Sequence, residues 1–242
     1  MNNTPDNYTI NHVTNTPIDV TSDVYAYYKK TLPHFGGEAI YVYSFKENRM
    51  VYAHGWLELL GYKDDEIGLL KIVNSTSPRF KDFSNELNNK GLKFLHNLNE
   101  EVEKYSFTLE TEKIHKEGHI VSVFSRVGVL KAANGRIEEL IGVSQVIENI
   151  KHGEIMQFAA YGPDKSGFEE TLSKELFTYY VISRKEKEAL KLAAEGLAFK
   201  EIAKKLNVSA SAIEKRIIPM YKRFNVHSLS HLISFAHTNH IL

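Results

Sequence analysis

The sequence predicts an α+β protein in two parts. The N-terminal part is built on a five-stranded antiparallel sheet with helices, and the C-terminal part is an all-α domain of four helices. Three observations predict this. Strand-like alternation occurs in two blocks, Glu38–Ala53 and Tyr105–Ile150, with helical periodicity between them. Past residue 181 only helical periodicity remains. Between the two parts, Gly153, Gly162-Pro163-Asp164 and Ser166-Gly167 punctuate the chain as a linker.

The elements follow in order. The first twenty or so residues carry too few apolar side chains to pack well and read as a loose arm. From Thr21 to Leu32, Val24, Tyr27, Tyr28 and Leu32 recur at helical spacing, and Pro33 ends that short helix. In Glu38–Phe45, Ile40 and Val42 alternate with Tyr41 and Tyr43, and the turn Lys46–Arg49 leads into a second strand, Met50–Ala53. Short helices are expected at Trp56–Leu60 and Asp64–Leu70, then a longer one at Phe80–Lys104 with Phe83, Leu87, Leu92, Leu95 and Leu98 apolar. Three strands follow, Tyr105–Ile114, His119–Leu130 and Ile137–Ile150, parted by turn signals at Lys116-Glu117-Gly118 and Ala133-Asn134-Gly135. The expected division is an arm and short helix at 1–37, a sheet domain at 38–150, a linker at 151–181 and a helical domain at 182–242.

Composition excludes several classes of function. There is no cysteine, so thiolate catalysis, zinc–thiolate sites and iron–sulfur clusters are ruled out. No apolar run approaches the roughly 18 residues of a membrane span, and the polar start lacks the blocks of a signal peptide, so a cytoplasmic protein without membrane contact is expected. The 30 basic and 30 acidic residues cancel in the total. From Ser183 onward, however, there are 11 basic against 5 acidic, which leaves 19 against 25 in the remainder. A basic helical domain tethered to an acidic one carries the electrostatic footprint of a nucleic-acid binder.

The last sixty residues are the most informative. Ser183-Arg-Lys-Glu186 is a capping box, and Ala189, Leu190, Leu192 and Ala193 share one helical face before Gly196. A second helix, Phe199–Leu206, buries Ile202, Ala203 and Leu206; Ser209 caps a third whose inner face is Ile213, Ile217, Met220 and Phe224. Leu232, Ile233 and Ala236 supply a fourth. Two short helices and a tight turn, the second exposing Lys215, Arg216 and Lys222, match a helix-turn-helix. The string from Ile182 to Gly196, followed by Lys200-Glu-Ile-Ala-Lys-Lys-Leu-Asn-Val-Ser209, closely resembles the LuxR-type DNA-binding domain of bacterial regulators. That resemblance implies a dimer on double-stranded DNA with the third helix in the major groove. The family's base-facing sites fall on Ala212, Glu214, Lys215 and Ile218, and the expected contact set adds Lys200, Ser211, Arg216, Lys222 and Arg223. Glu214 and Ile218 depart from the family's basic or small polar habit; glutamate can accept from cytosine N4 and isoleucine can touch a thymine methyl. Pro219 sits about ten residues into the helix, where it removes a backbone hydrogen bond, and predicts a kink.

Met50-Val-Tyr-Ala-His-Gly-Trp-Leu-Glu-Leu-Leu-Gly-Tyr62, then Asp64-Asp-Glu-Ile67, resembles a PAS sensor domain. The resemblance implies a sheet cupping a helical face, able to hold a small-molecule ligand or to pair with a second copy. Phe45, Tyr52, Trp56, Phe94, Phe107 and Phe124 could line a pocket or simply fill the core. Haem would need an axial histidine, for which His96 is placed, though a surface histidine is the plainer reading. His54 reads as a local hydrogen-bonding group, and His115 and His119 flank a turn. No cofactor, metal site or catalytic residue is expected, since no phosphate-cradling loop or nucleophile turn occurs. The leading expectation is a sequence-specific transcription regulator, with a PAS-like domain for sensing or dimerisation. The alternative is an interaction protein whose helix-turn-helix has lost specific DNA binding.

Overall fold

The alternation in Glu38–Ser44 (β1) and Arg49–His54 (β2) forms a hairpin whose Asn48 takes the left-handed backbone its turn requires. The computed structural model describes residues 8–148, 156, 158–168, 182–239, 241 and 242. It divides into two compact units, one holding the described residues through 168 and the other those from 182 onward.

In the first unit, Ser106–Ile114 (β3), Ile120–Ala133 (β4) and Arg136–Val146 (β5) form an antiparallel meander. The Asn134-Gly135 pair joins β4 to β5 with positive φ at both residues, as a two-residue hairpin turn needs. A sixth strand, Phe158–Tyr161 (β6), adds to the edge at β3, giving the order β2-β1-β5-β4-β3-β6. This corrects the five-stranded expectation: β6 lies in the stretch read as linker. Four residues are too few to show an alternation, and pairing with β3 is what makes them a strand.

The helices before the meander are Tyr8–His12 (α1), Asp23–Thr31 (α2), Trp56–Leu60 (α3), Leu69–Asn74 (α4) and Pro78–His96 (α5). The long helix stops at His96 rather than Lys104, and only a short 3-10 turn, Val102–Lys104, follows. The helix expected at Asp64–Leu70 instead forms at Leu69–Asn74. α5 packs on one face of the sheet, where Gly91 lies against Phe107. On the other face α2 covers β1 and β2 through Tyr28, Ile40, Val42 and Tyr52.

The loose arm is also corrected. Thr9, Val13 and Ile18 are buried, and residues 8–17 are tied down by side chains. Thr9 N–H donates to Asn89 Oδ1 at 2.9 Å, Thr14 N–H to the Tyr43 hydroxyl at 2.9 Å, and Arg49 Nη2 to Pro17 O at 2.8 Å. Partners so distant in sequence leave no periodicity to read.

Candidate functional site

The C-terminal unit is four helices: Arg184–Ala194 (α6), Phe199–Lys205 (α7), Ala210–Arg223 (α8) and Leu229–Thr238 (α9). Local chemistry sets their limits. Ser183, Ser209 and Ser228 each accept a hydrogen bond from a first-turn N–H of α6, α8 and α9. Gly196, Asn207 and Asn225 take positive φ just past α6, α7 and α8. At each, the next residue's N–H reaches back to close the helix: Leu197 to Leu192 O, Val208 to Ala203 O and Val226 to Tyr221 O. Leu190, Ile202, Ile213, Ile217, Met220, Leu232 and Ala236 are fully buried between the four helices. Each of the larger aliphatics contributes about 1.5–3 kcal/mol by leaving water.

That core fixes which side of α8 faces outward. Ile213, Ile217, Met220 and Phe224 are buried and recur at three- and four-residue steps. At about 100° per residue, Ser211, Lys215, Ile218 and Lys222 form a second stripe on the opposite side, and all four are exposed. The stripe is about 16 Å long at 1.5 Å per residue, a span that fits a major groove about 12 Å wide. Glu214 is exposed on its edge, while Ala212 and Arg216 lie half-buried on its flank. Lys200 is exposed on α7, two helices of the motif thus presenting cations outward. Ile218 is 51% exposed and adds an apolar side chain to the stripe.

Arg223 is placed differently from the rest of the expected set. Its Nη2 donates to Glu186 Oε1 at 2.9 Å, with both side chains largely covered. Glu186 also accepts the Ser183 N–H, so one carboxylate closes the α6 cap and ties it to the end of α8. Hydrogen bonds from Ser183 and Arg223 hold that carboxyl below its ordinary pKa against the opposing effect of burial. Pro219 lies on the exposed side and α8 continues through it from Ala210 to Arg223. With no N–H at 219, the Lys215 carbonyl lacks its usual i+4 donor.

Residues 180–236 match the profile of the family described as bacterial regulatory proteins, luxR family. The C-terminal unit is a LuxR-type helix-turn-helix domain. No curated protein matches the chain. Among solved structures, the phage VqmA–DPO complex is similar at 19% identity, covering 88% of each chain, with a TM-score of 0.36. The Vibrio cholerae VqmA dimer without target DNA aligns at 17% identity over 88% of this chain and 85% of that one, TM-score 0.35. A PAS domain from Colwellia psychrerythraea aligns at 19% identity over 47% of this chain and 88% of that one, TM-score 0.36.

The first unit holds a cavity of about 40 Å³ between α4, α5, residues 9–13 and the sheet. Of the six aromatics expected to line a pocket, only Phe107 does so. Trp56 is core, its Nε1 donating to Ile40 O at 2.9 Å, and Phe94 stacks on Phe168 at 4.5 Å. Phe124 faces the other side of the sheet, because the register puts Val127, three residues away, on the cavity side. Tyr52 hydrogen-bonds His34 and Phe45 packs edge-on against His96. The lining residues that sequence reasoning missed include Thr9, Val13, Tyr41 and Asn88. Gly142 is needed here: a Cβ on it would lie 2.0 Å from the Tyr41 ring, which crosses it flat.

The histidines resolve into local roles. His96 is no plain surface residue: the Tyr8 hydroxyl bonds its Nδ1 at 3.1 Å, and burial and nearby His12 lower its pKa. His54 lies 3.8 Å from Asp64, whose other oxygen accepts the Trp56 N–H and so opens α3. His115, Glu117 and His119 bring possible ligand atoms within 4.8 Å of one another, but His115 Nδ1 already accepts the Glu117 N–H. Among the described residues no helix is long and apolar enough to cross a membrane.

Proposed function

We propose that this chain is a sequence-specific, dimeric transcription regulator of the cytoplasm, reading duplex DNA with α8. Its first unit serves as a PAS-like sensor of a small molecule. The observation that carries the reading is the exposed stripe Ser211, Lys215, Ile218 and Lys222, set opposite the buried face of α8 in a LuxR-type domain. Its mix of cation, hydroxyl and apolar surface suits phosphate, base edge and thymine methyl in one groove. The sensory half is supported by the cavity, whose lining carries hydroxyls and an amide among aliphatics and no charged side chain. Desolvation disfavours an ionised guest there, so the fitting ligand is small, neutral and mostly apolar.

Selecting bound sequences from random duplex DNA with the full-length chain tests the reading. A two-fold symmetric motif is expected, since a dimer presents two copies of α8. Recovery of no motif would contradict it. A second reading, a protein-interaction scaffold on a helix-turn-helix frame, draws on exposed Glu214, Ile218 and Pro219. Such a contact would not depend on nucleic acid at all.

A further inference from the structure

Residues 8–17 form a strap with two distinct properties. It walls the cavity, to which Thr9 and Val13 contribute directly. It is also held only by separate side-chain ties. Tyr8 hydroxyl bonds His96 Nδ1, Thr9 N–H bonds Asn89, Thr14 bonds Tyr43 and the Asn48 carbonyl, and Arg49 bonds the Pro17 carbonyl. Among the described residues no backbone–backbone hydrogen bond joins residues 13–18 to the sheet. The other walls are the 19-residue α5, the laddered sheet and, through Leu69 and Val73, the short helix α4; α5 and the sheet open only with the fold.

One polar group beside this cavity is unsatisfied. The Thr9 hydroxyl is buried with no hydrogen-bond partner. Tyr41 is buried beside the same cavity, and burial raises its phenol pKa. A native interior rarely keeps an unsatisfied group idle, because it costs the full desolvation penalty. A guest with one hydrogen-bonding group would satisfy the Thr9 hydroxyl.

We propose that the strap is the gate of this cavity: it swings away to admit a neutral guest and, once closed, lays the Thr9 hydroxyl on it opposite Tyr41. This rests on the reading of the first unit as a small-molecule sensor. Gating itself can be tested without knowing the ligand or using DNA, so its failure and the failure of that reading are distinguishable.

The chain has no cysteine, so a single introduced thiol reports access. Leu92→Cys places one on the cavity wall, and Leu60→Cys places one in the buried core of the same unit away from the cavity. Each full-length variant is treated with methyl methanethiosulfonate, a small neutral thiol reagent, with the strap intact or loosened by Arg49→Ala and Tyr8→Phe. Loosening should speed labelling at position 92 about tenfold or more and leave position 60 unchanged. Equal acceleration at both positions would mean that the whole unit opens, and no acceleration at 92 would mean that the strap guards nothing; either overturns the gate. Thr9→Val keeps the shape and removes the hydroxyl. It should leave the labelling rate at 92 within about twofold, because the hydroxyl is a guest contact and not a tie. A large acceleration would overturn that assignment.

Discussion

Lys215 and Lys222 stand on one stripe of α8 yet should do different work. Lys215 lies mid-stripe beside Glu214 and Ile218, where base edges would pass, whereas Lys222 is in the last turn. Lys215→Ala should cost about 1–3 kcal/mol and relax preference at one base position. Lys222→Ala should weaken all duplexes alike and reduce the salt slope by about one. Binding measured on the selected site and on its single-base variants separates them, and uniform loss for both would reduce Lys215 to a phosphate anchor. In the first unit, Lys113 sets a pH dependence of stability. It is buried, donating to Ile72 O at 2.7 Å and Thr76 Oγ1 at 2.8 Å, and burial pushes its pKa from the ordinary 10.5 down to about 7. Between pH 7 and 10 the unfolded chain therefore binds more protons than the folded one, so stability rises with pH across that window and this group adds no slope below it. Lys113→Met should remove the rise, as read from denaturant midpoints at pH 7, 8.5 and 10. The same slope in both proteins would contradict it.

At the scale of elements, Pro219 poses the question of why a recognition helix keeps a residue that cannot donate. Pro219→Ala restores a donor to the Lys215 carbonyl and should stabilise the C-terminal unit by up to about 3 kcal/mol. We expect the same change to weaken binding to the selected site, because the local geometry at 215–219 aims Lys215 and Ile218. A more stable protein that binds as well as before would show the proline to be a tolerated defect. The sequence made this unit legible since its signals are local: the caps at Ser183 and Ser209, Gly196, and a buried face repeating at helical spacing. It concealed the role of Arg223, whose partner Glu186 is 37 positions away. In the first unit the meander was legible from alternation and from Asn134-Gly135. The strap, the short edge strand β6 and the cavity were not, because each exists only through contacts between distant segments, such as Thr9 with Asn89, 80 positions apart.

For the whole molecule, the charge split matters more than the neutral total. The basic excess lies after residue 182, while the chain before it carries the acidic excess. A fragment starting at residue 182 keeps the four helices and their common core, so it should fold alone. It should nevertheless bind the selected site more weakly than the full chain, because two readers held together gain effective concentration for the second half-site. Equal affinity of fragment and full chain would place the dimer contacts within the helical unit.

The central claim is that α8 and its basic neighbours neutralise phosphates while reading a groove. Measuring the affinity of the full-length chain for its selected duplex across salt concentrations tests it most directly. Affinity should fall a hundredfold or more between about 50 and 200 mM salt, as several released counterions require. Affinity that stays flat over that range would contradict the account.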